Sequence, residues 1–195
     1  MLFRSENLLP KSFEGKFLQF TDGKLHIIES CREQNPLWND ANWKNSPVWG
    51  ITKWACDWYA LWHSIKKGRH YRLPKEQEWE LAARGTDGRL FSWGHIYWEG
   101  AAKMNAGYGS ELNPSKEMLK ITDDLSPFGV LDLCGSLGEW TGSLSRANSI
   151  KRTYTIKGNV WGLTPEGLKC AFRVGEGYKY FHPTLGFRLV LELER

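Results

Sequence analysis

The sequence lacks the features that mark several large classes of protein. Its four cysteines include no Cys-x-x-Cys pair, so a zinc site of that type is not expected. No apolar run approaches the length that crosses a membrane, and the N-terminus has none long enough for a secretory signal. We therefore expect a cytoplasmic protein with free thiols and no membrane partner.

A large excess of charge of one sign is also missing, because the formal net charge is only +4. The densest basic cluster consists of Lys66, Lys67, Arg69, His70 and Arg72. Such a cluster is typical of a solvated helix end, and the alternative is a contact with phosphate or nucleic acid. No nucleic-acid-binding motif accompanies it, so no nucleic acid partner is expected.

Tryptophan and glycine are abundant instead, with 11 and 20 residues respectively. Tryptophan is bulky, and its indole N–H needs a hydrogen-bond partner when it is buried. This composition favours a loop-rich fold in which aromatic side chains hold irregular backbone in place. The alternative is an ordinary core that happens to be aromatic.

Local patterns predict a hairpin and two helices. Asp22-Gly23 separates two apolar-rich runs, which is a strong hairpin signal. A helix is predicted over 51–67, because apolar residues recur there at helical spacing, and we expect this face to be core. Its members are Trp54, Trp58, Leu61, Trp62 and Ile65.

A second helix is predicted from about Pro74 to Gly85, with Trp79, Ala82 and Ala83 on its buried side. Punctuation by Pro, Gly, Asn and Asp argues against further helices, and the tail GFRLVLELE reads as a final strand. We therefore predict an α+β fold with much irregular loop. Residues 1–47 form a short strand and loop region, residues 48–195 form the main domain, and the two together make one compact unit.

Five sequence blocks carry a family resemblance. In chain order they are Tyr71–Gly85, Phe91–Gly94, Phe128–Trp140, Lys157–Trp161 and Gly186–Arg188. Together they resemble the formylglycine-generating enzyme, or sulfatase-modifying factor, family. The resemblance covers residues 48–190 and is vague in the first third of the chain. It implies a variant of the C-type lectin fold, with two helices, small antiparallel sheets and long ordered loops.

The resemblance also implies a structural calcium ion. The family's ligand positions correspond here to Asp132, Gly135, Leu137 and Glu139, with Asn105 drawn from a second family site. A hard cation prefers such oxygen ligands, and a tight turn supplies carboxylates with carbonyls between them. The alternative is that Asp132 caps a turn and Glu139 is a surface charge.

Structural roles are implied for a set of arginines and tryptophans that lock loops together in the family: Arg72, Trp79, Arg84, Trp140, Trp161 and Arg188. Arg173 has two readings, since it either satisfies carbonyls in the same way or grips an anionic ligand.

We do not expect this chain to retain the family's copper chemistry. The family's oxidase holds Cu(I) between two cysteines five residues apart, because a soft monovalent metal prefers two thiolates. Cys170 corresponds to the second of them, but the first position is Pro165, which cannot bind a metal. Cys134 or Cys56 is left as a substitute thiol. The five histidines show no ligand spacing.

Three functions follow from these observations. The first is a non-catalytic binding module for a protein or small ligand, which displays Tyr178, Tyr180, Phe181 and His182, unless these aromatics pack inward. The second is an enzyme, either a copper-dependent oxidase built on Cys170 and a rearranged thiol or another oxygen-dependent enzyme. The third is a structural subunit of a larger assembly, so a protein partner is expected in the first and third cases.

Overall fold

A computed structural model describes residues 18–21, 24–27, 47–48, 50–102, 123–145, 152–158, 164–182 and 184–193. The chain divides into two units, Met1–Ser46 and Pro47–Arg195. In the first unit, strands β1 (Leu18–Thr21) and β2 (Lys24–Ile27) pair antiparallel. The hairpin predicted around Asp22-Gly23 is therefore confirmed.

Helix α1 spans Lys53–Lys67 and has a clear start and stop. The Thr52 hydroxyl accepts a hydrogen bond from the Ala55 N–H at 3.2 Å, which satisfies one of the free donors of the first turn. Gly68 adopts a left-handed conformation (φ 65°) and donates its N–H to the Ser64 carbonyl. These caps explain why the predicted limits, 51–67, lie so close to the observed ones.

The buried side of α1 is not the one that the sequence predicted. Lys53, Cys56 and Ala60 are buried, whereas four members of the predicted face are 39–56% exposed. The prediction of this face as core was wrong, because periodicity identifies residues that share a face but not the side that the domain covers. We call Trp54, Trp58, Leu61, Trp62 and Ile65 the α1 aromatic face.

Helix α2 spans Glu76–Arg84, within the predicted limits. The Glu78 carboxylate accepts the Lys75 N–H at 2.7 Å, and Gly85 ends the helix. Trp79 and Ala83 are buried as predicted, while Ala82 is half-buried. No helix occurs in the described ranges after Arg84, and none in any described range is long and apolar enough to span a bilayer.

The main sheet has four strands: β4 (Gly138–Leu144), β5 (Thr153–Lys157), β6 (Arg173–Gly177) and β7 (Leu185–Phe187). Their order across the sheet is β6-β5-β4-β7. β4 pairs parallel with β7, and the other pairs are antiparallel, so the sheet is mixed rather than purely antiparallel.

The chain ends in two short strands where the sequence predicted one. Arg188 and Leu189 separate β7 from β8 (Val190–Leu191), and β8 pairs antiparallel with β3 (Tyr71–Arg72) in a second small sheet. Within the described ranges, two helices and small sheets make an α+β architecture, as predicted.

Two apolar cores lie beside the main sheet. The first surrounds Trp79, Phe91, Leu133, Cys134 and Cys170, and the second contains Cys56, Leu73, Trp140, Ile156 and Leu185. Their aromatic side chains also hold irregular backbone in place. The Trp140 indole N–H, for example, donates to the Ile51 carbonyl at 2.8 Å. The second core is the one on which α1 rests through Cys56.

Gly186 should tolerate no side chain. A Cβ at this position would lie 2.7 Å from the Val48 carbonyl oxygen, whereas a Cβ at Gly177 would meet nothing within 4 Å. We expect Gly186→Ala to lower the free energy of unfolding by about 2 kcal/mol, since backbone must shift to relieve the contact. Urea unfolding measures this, and Gly177→Ala is the matched control. Equal stability of the two variants would contradict the prediction.

Candidate functional site

Two buried thiols meet in the first core. The Sγ atoms of Cys134 and Cys170 are 3.4 Å apart, although the residues are 36 positions apart in sequence. Both residues are at most 1% exposed. The Ser92 N–H donates to the Cys134 sulfur at 3.2 Å. The sequence left Cys134 open as a substitute thiol for Cys170, and folding brings the two together.

The surroundings of Cys134 favour its protonated form. The hydrogen bond with Cys170 and burial raise the pKa of the Cys134 thiol far above its ordinary range. The separation of 3.4 Å is much longer than a disulfide bond of about 2.05 Å. Both side chains belong to the first core, where buried cysteines pack as small apolar groups.

Asp124, which the sequence analysis did not single out, positions Cys134. One carboxylate oxygen of Asp124 accepts the backbone N–H groups of Cys134 and Gly135 at 2.9 and 2.7 Å, and the other accepts the Ser92 hydroxyl. The side chain is fully buried, and burial raises its pKa. No local motif distinguishes Asp124 in the sequence, because its partners come from other parts of the chain.

Glu139 is the centre of a second buried polar cluster. Its Oε2 accepts the Trp79 indole N–H at 2.7 Å and the Arg188 Nε–H at 2.6 Å. Its Oε1 accepts from Arg188 Nη2, again at 2.6 Å. The same Nη2 donates to the carbonyls of Leu131 and Asp132. Three elements, α2, β4 and the β7–β8 connection, thus meet at one carboxylate, which is not a surface charge.

The predicted calcium ligands lie on one loop and at the start of β4. Asp132 has a left-handed backbone (φ 57°), and Gly135, Leu137 and Glu139 are buried. Two carboxylates and two carbonyls fit a hard cation, but three of about four lone-pair sites on Glu139 already accept hydrogen bonds. The described residues contain no cluster of three or more His, Cys, Asp or Glu side chains arranged for a metal. Asp132, Glu139 and the carbonyls of Gly135 and Leu137 would hold a calcium ion, which would supply structural support to this loop; Asn105 lies outside the described residues.

Arg72 and Arg84, the other arginines for which a structural role was predicted, make ion pairs. Arg72 bonds to Glu78 and Glu192, and the bond to Arg72 lowers the pKa of Glu78 to about 2. Arg84 bonds to Glu80 and to the carbonyls of Gly88 and Arg89, as a loop-locking arginine would. Trp161, the last of the predicted structural residues, lies outside the described residues.

Arg173 lies beside a shallow groove of about 420 Å³ along α2, where its Nη1 bonds to Glu76 at 2.9 Å. The other charged side chains of the groove also pair, since Glu80 bonds to both Arg84 and Lys157. An anionic ligand would have to compete with Glu76 for Arg173.

The aromatic loop divides into an inward and an outward part. Tyr178 and Tyr180 are half-buried, since Tyr178 packs against Tyr154 and Tyr180 against the second core. His182 stacks on Tyr180, and its Nδ1 bonds to the Thr184 hydroxyl at 2.7 Å. Phe181 is 57% exposed and is the open aromatic side chain of the loop.

Comparison with known proteins identifies relatives over most of the chain. Residues 15–193 match the model of the sulfatase-modifying factor enzyme 1-like domain. The uncharacterized protein YfmG of Bacillus subtilis is 30% identical over 88% of this chain and 38% of its own length. The inactive C-alpha-formylglycine-generating enzyme 2 of Bos taurus is 27% identical over 67% of this chain and 45% of its own length. The serine/threonine-protein kinase pkn1 of Chlamydia pneumoniae is 25% identical over 80% of this chain and 26% of its own length. The chain thus spans less than half the length of these relatives.

Solved structures share the fold. PvdO from Pseudomonas aeruginosa superposes with a TM-score of 0.59 at 23% identity, covering 76% of this chain and 62% of its own. CarF superposes with a TM-score of 0.63 at 17% identity, covering 80% of this chain and 71% of its own. Treponema denticola variable protein 1 superposes with a TM-score of 0.56 at 17% identity, covering 75% of this chain and 71% of its own. At this identity the likeness shows the α+β fold alone.

Calcium binding stays a prediction, and thermal unfolding tests it. At a calcium concentration 100-fold above Kd, we expect Tm to exceed that in chelator by roughly 5–10 °C. Asp132→Gly removes a ligand without straining the left-handed backbone and should abolish the difference. Asp123→Gly, at the neighbouring exposed acid near the same loop, should retain it. A wild-type Tm that is identical in calcium and chelator would contradict the prediction.

Proposed function

The chain belongs to the sulfatase-modifying factor enzyme 1-like family, and we propose that it is a non-catalytic binding module built on that fold. The observation that carries this proposal is the position of Cys170, which is fully buried among apolar side chains. A thiol that handles oxygen and a protein substrate must be reachable by both. Pro165 stands five residues before Cys170, where the family's other copper ligand would be. The relative named as an inactive formylglycine-generating enzyme is consistent with such a role.

The proposed display surface is the loop after β6, residues 178–182; residues 175–177, which the sequence placed in this loop, belong to β6. Its backbone is held by the bonds from Tyr180 N–H to the Gly177 carbonyl and from Leu185 N–H to the His182 carbonyl. Tyr178 and Tyr180 anchor the loop from inside, so Phe181 projects from a preorganised support. An exposed aromatic on a rigid loop loses little conformational entropy on binding, which favours recognition.

A protein is the partner that we propose. The relatives matched here are more than twice as long as the matched region, so in them the domain is one part of a longer chain. A domain of this kind contributes contacts rather than chemistry. Aromatic residues such as Phe181 are enriched at protein interfaces, which supports the choice.

Site-specific photocrosslinking tests the loop. A photoreactive phenylalanine analogue at residue 181 should yield a discrete crosslinked species in cells, and the same analogue at Ile96, which is 74% exposed, should not. Phe181→Ala should abolish capture of that species by the purified chain and change Tm by less than about 2 °C, since the side chain is mainly outside the core. Crosslinking of equal strength at both positions, or at neither, would count against the loop.

The second candidate function is a copper-dependent oxidase in which Cys134 replaces the missing thiol. The 3.4 Å contact between the two sulfurs is the specific observation in its favour. Against it stands the burial of both residues, because oxygen and a protein substrate would have to reach the sulfurs.

Anaerobic titration with Cu(I) against a chromogenic chelator separates the two functions. For the non-catalytic module we expect no stoichiometric binding, and no difference between the wild-type chain, Cys134→Ser and Cys170→Ser. Cys56→Ser, at a third buried cysteine outside the pair, is the matched control. Tight one-to-one binding that both pair variants lose and Cys56→Ser keeps would establish the oxidase site instead.

A further inference from the structure

The α1 aromatic face points away from the domain. On a helix, its members lie on the side opposite to Cys56 and Ala60, which pack inward. Trp58 is 39% exposed and Ile65 56%, and Tyr59 at the edge adds 42%. Aromatic side chains offer about 150–250 Å² each, so the face leaves on the order of 500 Å² of apolar surface in water. This is near the upper end for the largest patch of a soluble monomer, where such patches are often functional.

The sequence that follows this face is basic. Residues 58–75 contain five lysines and arginines and no aspartate or glutamate: Lys66, Lys67, Arg69, Arg72 and Lys75. Lys66, Lys67 and Arg69 are exposed at the C-terminal end of α1, and Lys66 lies 4.8 Å from the Trp62 ring centre. The apolar face therefore borders on an exposed positive cluster.

The acidic groups at the borders of this segment are paired in part. Asp57 pairs with Lys53, while Glu78 and Glu192 share Arg72, and His70 also bonds to Glu192. Lys66, Lys67 and Arg69 form no ion pair within the described ranges and keep their positive charge exposed. The local field is thus positive, and its natural counterpart is a surface of negative charge with apolar material beneath it.

We propose that α1 docks in the plane of an anionic lipid surface. Trp, Leu and Ile side chains on one face enter the boundary between headgroups and acyl chains, and lysines at the rim bind the anionic headgroups. Tryptophan suits this depth, because its ring is apolar while its N–H stays near water. The expectation of no membrane partner rested on the lack of a spanning run, and a helix that lies on the surface needs none.

Charge disfavours a second copy of the chain as the occupant of this face. Two copies packed through α1 would bring their exposed clusters of Lys66, Lys67 and Arg69 close to each other. Like charges on facing surfaces cost affinity, whereas each lysine near an anionic bilayer improves binding by about fivefold. An acidic protein surface satisfies the same charge, and it is an outcome of the test rather than a second proposal.

Vesicle sedimentation with the full chain tests the inference. We expect binding to vesicles with about 30 mol% phosphatidylserine in phosphatidylcholine to be at least tenfold tighter than to phosphatidylcholine alone. Tryptophan emission should shift to the blue on binding, because the face leaves water. Raising the salt to about 0.5 M should weaken the binding, since the Debye length falls below about 5 Å.

Two matched pairs of variants separate the apolar and charged contributions. Leu61→Glu should lower vesicle affinity by about tenfold, whereas Ile96→Glu, at an exposed apolar residue outside α1, should not. Lys67→Glu should lower it by about tenfold, and Lys169→Glu, with the same change in net charge, by about twofold or less. Urea unfolding of each variant checks that stability is unchanged, with Ile65→Ser as a second apolar variant in case Leu61→Glu fails to fold.

Several outcomes would overturn the inference. They are no binding to anionic vesicles, equal binding by all variants, or concentration-dependent dimers that Leu61→Glu dissolves. Binding to a soluble acidic protein but not to vesicles would assign the face to a protein instead. The inference does not rest on the proposed function, because the loop is tested by crosslinking at residue 181 and a failure on vesicles leaves that result untouched.

Discussion

One buried carboxylate joins the parts of this domain. Glu139 on β4 receives the guanidinium of Arg188, which follows β7, and the indole N–H of Trp79 on α2. A buried ion pair is not in itself a large source of stability, but loss of one partner costs about 3–5 kcal/mol, because the other charge is left unpaired. Its bonds hold α2 and the β7–β8 connection to β4, and the ion pairs of Lys157 with Glu80 and of Arg173 with Glu76 also join α2 to the main sheet.

The same principle recurs where loops replace regular structure. Asp124 satisfies two backbone N–H groups next to Cys134, and Lys157, fully buried on β5, pairs with Glu80 on α2. Long irregular backbone needs such partners, because its polar groups have no ladder or helix to satisfy them. The outer side of α1 and the side chain of Phe181 remain exposed and are open to contact with other surfaces.

The thiol pair shows how position changes the meaning of a residue. In a cleft, two sulfurs 3.4 Å apart would suggest a redox or soft-metal centre. Here they lie in an apolar core beside Trp79 and Leu168, and burial raises the pKa of the Cys134 thiol. Pairing of the thiols could not be derived from the sequence, because Cys134 lies in the third block and Cys170 between the fourth and fifth blocks, 36 positions away.

Local chemistry determined what could be predicted from the sequence alone. The limits of α1 and α2 follow from Thr52, Gly68 and Gly85, since caps act within one helical turn, and the five blocks were sufficient to identify the family. Tertiary structure alone decided which side of α1 is covered, and it joined Cys134 to Cys170 and Glu139 to Arg188. These outcomes depend on contacts between residues tens of positions apart. Spacing within a helix sorts side chains onto faces, but only the packing of distant segments decides which face is removed from water.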